Sequence, residues 1–332
     1  MSLDLDYQTL HEDCDHLNRC AAAGIGVDNP AVVAVLTRWG VEVERPARES
    51  VGEAVENGVR AGAHLTAAAA GKLVLRFRDW SGEFVKDYAD KVKEYASKGA
   101  VLERQTLKIK QRYDLTKELP EHNEVDAGAW TSKVCVEDKV NVNACIELAD
   151  RIGTLDDMSK KYTVLVRSIA KGQRVRDDSL RPLGRSTNWA VKRSAGLLGI
   201  VNPFGKVEAY SLPGNVVVVE HGDKVDFAVA RDGDYGHTVP RLEHSQIGDA
   251  LKAAFTLTTE IKKRGVERHA FSYGAINDEI SGLLKEIDEL EGDDLKDATQ
   301  RLRNAVKVEH AICTSFVRTA EGLLEYCSLS LK

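Results

Sequence analysis

A single stripe of mostly apolar residues between positions 73 and 113 constrains the fold of this chain more than any other feature of its sequence. Its members lie three or four positions apart, with an average step of about 3.6 residues, which is the period of an α-helix. Charged residues of both signs fill the positions between them, as on the solvent face of an amphipathic helix. The spacing therefore predicts one long helix with a buried seam. The stripe consists of Leu73, Phe77, Trp80, Phe84, Tyr88, Val92, Tyr95, Gly99, Leu102, Thr106, Ile109 and Tyr113.

The helical period recurs along most of the chain. It predicts helices over residues 3–21, 30–39, 47–113, 139–171 with an interruption at Gly153, 245–264, 270–291 and 293–332. The second of these is well delimited, because Asn29 is a good N-cap, Pro30 suits the first helical position and Gly40 suits the end. The last helix carries an inward stripe of Leu295, Ala298, Leu302, Val306, Cys313, Phe316, Ala320, Leu323 and Cys327. Long helices joined by short loops are typical of an antiparallel bundle.

Residues 206–230 change to a period of two. Turn signals at 213–215 (Pro-Gly-Asn) and 222–223 (Gly-Asp) divide this segment into three predicted strands, which form a small antiparallel meander. The run of four valines at 216–219 is apolar on both faces of its strand, so one face is expected to lie against helices and the other to be covered as well.

These patterns predict a mainly α fold, an elongated antiparallel helical bundle with a small inserted three-stranded antiparallel β meander. We expect an N-terminal long-helix region at 1–172 and a basic linker at 173–205. The β insert then covers 206–240. A C-terminal helical region at 241–332 is expected to pack on the N-terminal helices.

Composition narrows the class of protein. Of the 332 residues, 43% are hydrophobic and 30% are charged, which argues against global disorder. The formal net charge of −6 predicts no overall attraction to nucleic acid or to an anionic membrane. The most apolar stretch, 59–77, carries four basic residues, so no membrane contact is expected, and the acidic start shows no secretory signal. The six cysteines form no C-x-x-C pair and are interpreted as reduced, packed thiols.

The segment 160–193, here called the basic strip, is the candidate contact site. One interpretation is phosphate binding, since Lys and Arg neutralise nucleic-acid phosphates without reading sequence. The favoured interpretation is a protein contact or plain solvation, because the sequence shows no aromatic interleaving and no nucleic-acid-binding motif. A candidate partner, on the same chain or on a neighbouring subunit, is the acidic strip at 277–297, which has nine acids against two lysines. If the two strips meet between copies, association should weaken at high salt. The basic strip contains Lys160, Lys161, Arg167, Lys171, Arg174, Arg176, Arg181, Arg185, Lys192 and Arg193.

The stretch HEDCDHLNRC at 11–20 raises the question of a metal site. At 100° per residue, the pair His11 and Cys14 points away from the pair His16 and Cys20, so one helix cannot bring all four onto one ion. Core packing is therefore favoured, although the second pair would still supply two ligands if another segment supplied the rest. His310 and Cys313 also share a face. Glu12, Asp13 and Asp15 lack surroundings that would tune them for acid–base chemistry.

Motifs for nucleotide binding and serine hydrolysis are absent from the sequence, so no cofactor or small-molecule ligand is predicted. The order of features is more informative. The charged helix RFRDWSGEFVKDYADKVKEYASK is followed by a helical hairpin, a β unit around LPGNVVVV, and helices that close on EGLLEYCSLSLK. This order resembles the internal head or core proteins of large tailed bacteriophages, over most of the chain.

The resemblance implies a non-enzymatic structural protein of the virion, assembled in the host cytoplasm. The partners it implies are other virion proteins, copies of this chain and DNA. Two alternatives remain open. One is a nucleic-acid-binding accessory protein that uses the basic strip, and the other is a metal-dependent enzyme whose site no motif reveals.

Overall fold

The fold is mainly helical with a few small antiparallel sheets, which confirms the predicted class of a helical bundle with a β meander. The computed structural model describes residues 2–27, 29–41, 54–172, 207–221, 224–230, 235–265, 287, 290 and 292–332. Contacts group the chain into two compact units. The first comprises Met1–Phe84 and Leu284–Thr299, and the second comprises Val85–Leu283 and Gln300–Lys332.

The predicted helices are present where the structure describes their residues, except that the helix predicted from 139 begins at Val142, because Lys139 and Val140 form a short strand. The predicted helix at 139–171 is two helices, separated at Arg151 rather than at Gly153, and the predicted helix at 270–291 lies outside the described residues apart from 287 and 290. The helices are α1 Ser2–Ala22, α2 Pro30–Arg38, α3 Ala54–Leu115, α4 Val142–Asp150, α5 Ile152–Ala170, α6 His244–Gly265 and α7 Gly292–Ser330.

In the first unit, α1 buries Leu10, Cys14 and Leu17 along the predicted seam. The start of α2 is capped as predicted, because the Asn29 side-chain oxygen accepts a hydrogen bond of 2.9 Å from the Ala31 amide. Burial of one helical face explains why the apolar spacing located α1, whereas the cap and stop signals located α2.

The two long apolar stripes lie within single helices, α3 and α7. Every predicted member of the α7 stripe is buried. In α3, the seam is buried from Leu73 to Thr106 at most of its described positions and is half-buried at Phe84, Ile109 and Tyr113. At Gly99 an added Cβ would lie 3.1 Å from the Ile261 side chain and 3.2 Å from the Thr258 carbonyl oxygen, so a glycine lets α6 approach α3 closely.

The predicted meander is confirmed as three antiparallel strands, with Leu212 opposite Val216 and Val216 opposite Val229. Two further pairs of short strands, β1 with β7 and β2 with β3, were not predicted. The strands are β1 Glu124–Asp126, β2 Cys135–Val136, β3 Lys139–Val140, β4 Val207–Leu212, β5 Val216–His221, β6 Lys224–Val229 and β7 Thr238–Pro240.

Both faces of β5 are buried. Val216 and Val218 belong to the main core of the second unit, whereas Val217 and Val219 form a separate small cluster with Ala230. This arrangement agrees with the prediction that each face of the apolar run is covered.

The turn between β4 and β5 is fixed against α7. The Ser315 hydroxyl donates a 2.6 Å hydrogen bond to the Pro213 carbonyl oxygen, and Arg318 Nε donates one of 2.6 Å to that of Gly214. Gly214 has φ +82°, and an added Cβ would lie 3.0 Å from the Arg318 Cβ. Only a glycine combines this backbone conformation with so close an approach.

Candidate functional site

The structure describes only part of the predicted basic strip. Arg167 is half-buried and Lys171 is exposed at the end of α5, and Lys160 and Lys161 lie on the same helix. The other six members lie outside the described residues, as does most of the acidic strip. The role of the strip in binding DNA or a protein therefore stays a prediction. Those six members are Arg174, Arg176, Arg181, Arg185, Lys192 and Arg193.

The spacing of His16 and Cys20 predicts that the two side chains lie on the same side of α1, and the structure confirms this. His16 Nε2 lies 3.6 Å from Cys20 Sγ, and the cysteine is buried. Cys14 is buried on the apolar seam between the helix and its neighbours. Across the part of the chain that the structure describes, no group of three or more His, Cys, Asp or Glu side chains is arranged to hold a metal ion.

Two acidic residues of α1, Asp13 and Asp15, connect this helix to its neighbours. Asp13 accepts hydrogen bonds of 2.8 Å from Arg38 Nη1 and 2.7 Å from Trp39 Nε1, which ties α1 to the end of α2. Asp15 forms an ion pair with Lys296 from the start of α7. Both carboxylates are therefore engaged in contacts that hold the first unit together.

A group of four charged side chains is buried in the second unit, and we call it the Arg264 cluster. Arg264 and Glu260 come from α6, Asp156 from α5 and Glu309 from α7. The exposed fraction of each side chain is 5% or less. The guanidinium pairs with Asp156 and Glu309, and its Nε lies 3.4 Å from Glu260 Oε1.

Aromatic side chains complete the surroundings of the cluster. The Arg264 guanidinium carbon lies 5.2 Å from the centre of the Phe316 ring, a cation–π distance. The Tyr88 hydroxyl is buried without a hydrogen-bond partner among the described residues, and burial raises its pKa well above the usual value. The guanidinium is thus enclosed by carboxylates on some sides and by aromatic rings on others.

Among the described residues, the cluster has three carboxylates around one guanidinium, and the exposed Lys263 ammonium lies 4.0 Å from Glu260. Burial raises the pKa of Glu260, although the positive charge of Arg264 opposes the shift. Burial alone would lower the pKa of Arg264, but nearby anionic groups, including Asp156 and Glu260, raise it overall. The guanidinium therefore stays charged, and the surroundings of Glu260 favour its protonated form.

The six cysteine thiols are free and buried, which confirms the prediction that they pack as small apolar residues. Burial raises the pKa of Cys14 and of Cys327 to about 12. Burial also raises the pKa of Cys313 to about 11, with the Arg264 charge opposing the shift. The thiols of Cys14, Cys313 and Cys327 are therefore protonated at neutral pH, whereas nucleophilic attack and metal binding require the thiolate.

His310 is also used in packing. On α7 its ring lies between two aromatic neighbours, with centroid distances of 5.5 Å to Tyr95 on α3 and 4.8 Å to Phe227 on β6. The adjacent hydroxyl of Tyr95 lies 2.9 Å from that of Thr314. The predicted shared face of His310 and Cys313 is therefore a face that packs against other elements of the second unit.

A surface groove of about 830 Å³ lies on the second unit, between α3 and the C-terminal half of α7. Its apolar lining comes from Val101, Leu102 and Ile109 of α3, Trp130 of the loop that follows β1, and Leu324 of α7. The size falls within the range of binding clefts in proteins. We call this feature the α3–α7 groove.

The two sides of the α3–α7 groove carry opposite charges. Lys98 and Lys108 line it on α3, whereas Glu321 and Glu325 line it on α7. Glu321 pairs with Lys133 at 2.7 Å, and Lys98 pairs with a glutamate of its own helix at 3.0 Å. Lys108 and Glu325 are exposed and form no ion pair among the described residues.

None of the helices in the described ranges is long and apolar enough to cross a membrane. No family model, no curated protein and no solved structure matches this chain. The functional interpretation therefore rests on the residues and contacts of the chain itself.

Sequence reasoning missed both the Arg264 cluster and the α3–α7 groove. A signal for the cluster was present, because Arg264 and Glu309 occupy seam positions three residues after Ile261 and Val306. A charge on an apolar seam indicates a buried partner on another helix. The groove had no comparable signal, since its sides come from segments far apart in the sequence.

Proposed function

We propose that this chain is a non-enzymatic structural component of a phage virion, in the internal head or core or in a similar assembly. It acts through helix packing and through contacts with copies of itself and with other virion proteins. The order of sequence features, which resembles internal head or core proteins, supports the setting. The observation that carries the structural role is the Arg264 cluster.

The Arg264 cluster links three helices at one point. A guanidinium in the interior needs a carboxylate within reach, because breaking a buried ion pair costs about 3–5 kcal/mol. If α5, α6 or α7 shifted by one turn, Arg264 would lose Asp156 or Glu309. The cluster therefore favours one arrangement of the helices, as expected of a subunit that keeps its shape within an assembly.

Other charged side chains of the described residues are used in the same way. Lys307 of α7 pairs with Asp226 of β6, and Lys262 of α6 lies 2.6 Å from Glu103 of α3. Each pair joins two elements of the second unit. Ionisable groups that would serve chemistry in another setting here hold secondary-structure elements together, which supports a structural role.

The test is to locate the chain in particles. Virions are purified on a density gradient from a culture infected with the phage that encodes the chain, and their proteins are quantified by mass spectrometry. We expect a fixed ratio to the major capsid protein with many copies in each particle. Recovery only in the soluble fraction of the lysate would contradict the proposal.

A protease control distinguishes an internal protein from one adsorbed to the surface. We expect the chain to survive protease added to intact particles and to be digested once the particles are opened with denaturant. A surface-exposed capsid protein of the same particles serves as the positive control for digestion. Digestion in intact particles would contradict an internal location.

A further inference from the structure

We propose that the α3–α7 groove is a self-association surface whose occupant is the same groove of a second copy, related by a two-fold axis. This inference rests on the proposed function for the biological role of the contact and names the surface that makes it. The observations that carry it are the opposite charges on the two sides of the groove and the apolar lining between them.

The symmetry follows from the charge pattern. In a closed two-fold dimer the same patch is used by both copies, so each side of the groove meets a side of the other groove. An axis along the groove places the α3 side of one copy over the α7 side of the other, so that lysine faces glutamate. An axis across the groove would place lysine over lysine, which like-charge repulsion disfavours.

The α3 side of the groove carries several positive charges, which an anionic partner would stabilise. Lys108 lies between Arg104 and Arg112, each one turn away on the same helix, and like charges at this spacing repel. All three side chains are exposed. Glu325 of a second copy would relieve this repulsion, and the Lys108 of that copy would in turn meet the first copy's Glu325.

The apolar lining supplies the remaining attraction. Val101 is 45% exposed in the single chain and lies in the groove beside buried Leu102 and Trp130. Covering such a patch removes apolar surface from water, which is the main driving force of most protein association. Interfaces of this kind combine an apolar centre with a charged rim, as the groove does.

The proposal is tested by reversing the charges one at a time and then together. Sedimentation velocity across a concentration series measures the dimer dissociation constant of the full chain. We expect Lys108→Glu and Glu325→Lys each to raise it at least ~10-fold, because each variant places two like-charge pairs across the interface. Circular dichroism confirms that these exposed substitutions leave the fold intact.

Two rescue experiments give results that are specific to the proposed symmetry. An equimolar mixture of the Lys108→Glu and Glu325→Lys chains should form mixed dimers, since the glutamate introduced in one copy then faces the lysine introduced in the other. The double variant Lys108→Glu/Glu325→Lys should regain self-association in the same way. Failure of both rescues would overturn the proposal.

The apolar lining has a matched control. Val101→Glu inside the groove is expected to abolish the dimer, whereas Leu107→Glu on the same helix, 48% exposed and outside the groove, should leave it unchanged. A wild-type chain that is monomeric at every concentration, or equal effects of the two substitutions, would overturn the inference. Neither result would bear on whether the chain is found in virions.

Discussion

The Arg264 cluster and the exposed face of α3 use the same residue types at the same helical spacing, but their surroundings give them opposite properties. On α3, Glu94 accepts hydrogen bonds from Lys91 and Lys98, which lower its pKa to about 2. On α6, Glu260 also has a cationic residue four positions later, yet burial raises its pKa. Solvent, rather than spacing, decides whether a charge pair is a minor surface feature or a constraint on the fold.

The two regions differ in how far solvent reaches their charged side chains, and this difference decides which charges constrain the fold. The Glu94 side chain is 45% exposed and lies 2.9 Å from that of Lys91, so water and salt would replace much of the interaction if it were lost. The Arg264 side chain is 3% exposed, so it is shielded from bulk water in the folded state. Three predictions test this contrast, a fourth tests a buried turn outside both regions, and a fifth measures the contrast directly.

We expect the largest loss of unfolding free energy for Arg264→Met. The substitution removes the guanidinium that pairs with Asp156 and Glu309 in the interior, and breaking a buried pair in this way costs about 3–5 kcal/mol of unfolding free energy. Urea unfolding followed by circular dichroism measures the loss. The matched control is Lys252→Met on the same helix, where the side chain is exposed and the change should stay within about 0.5 kcal/mol.

We expect an intermediate loss of unfolding free energy for Asn215→Ala. Asn215 is buried in a left-handed conformation, and its side chain exchanges hydrogen bonds of 2.9 and 3.3 Å with Asp138. Losing these bonds and placing an alanine at φ +58° should together cost about 2–3 kcal/mol. Asn215→Gly keeps the conformational freedom and loses only the hydrogen bonds, so it should cost less. Equal losses in thermal or urea unfolding would show that the left-handed conformation adds nothing.

A smaller effect with a defined pH dependence is expected for Glu260→Gln. Because burial raises the pKa of Glu260, the folded state holds its proton more tightly than the unfolded state does. Wild-type stability should therefore fall, relative to the variant, as the pH rises from about 4.5 towards neutral. The two proteins should differ by no more than about 1 kcal/mol at neutral pH, since Asp156 and Glu309 still pair with Arg264.

The pH dependence of the Glu260→Gln comparison is measured by urea unfolding at a series of pH values. The difference in unfolding free energy should move steadily in favour of the variant with rising pH. A difference that moves the other way would mean that the folded state lowers the pKa of Glu260, and the contrast with Glu94 would then be wrong.

The smallest effect is expected for Lys91→Gln on the exposed face of α3. The Lys91–Glu94 pair is solvent-exposed, so its loss should change the unfolding free energy by no more than about 0.5 kcal/mol. Raising the salt concentration should reduce even this difference, because exposed charges are screened. A loss comparable to that of Arg264→Met would remove the distinction between the two regions.

The sequence predicted the long helices and the meander because each has a period that many residues repeat. The stripe from Leu295 to Cys327 defines α7 by itself, and the turn signals at 213–215 separate two strands. The pairing of β1 with β7 was out of reach, since each strand has three residues and the partners lie far apart in the sequence. The interruption predicted at Gly153 lies two residues earlier, at Arg151, which is neither a proline nor a glycine.

The tight hairpin of β2 and β3 is another element that the sequence did not predict. Its turn residues Glu137 and Asp138 have φ of +55° and +60°, where Asn-Gly would be the expected pair. Asn215 from the distant β4–β5 turn holds Asp138 by hydrogen bonds to its amide and carboxylate, so tertiary contacts stabilise a local conformation that the local sequence disfavours. The candidate sites were missed for a similar reason, since their partners come from separate segments.

A double-mutant cycle measures the contrast most directly. Arg264→Met, Asp156→Asn and their combination give the coupling energy of the buried pair, and Lys91→Gln, Glu94→Gln and their combination give that of the exposed pair. We expect a coupling of at least about 1.5 kcal/mol for the buried pair and no more than about 0.5 kcal/mol for the exposed one. Equal coupling energies for the two pairs would contradict the conclusion that the Arg264 cluster holds α5 and α6 in place.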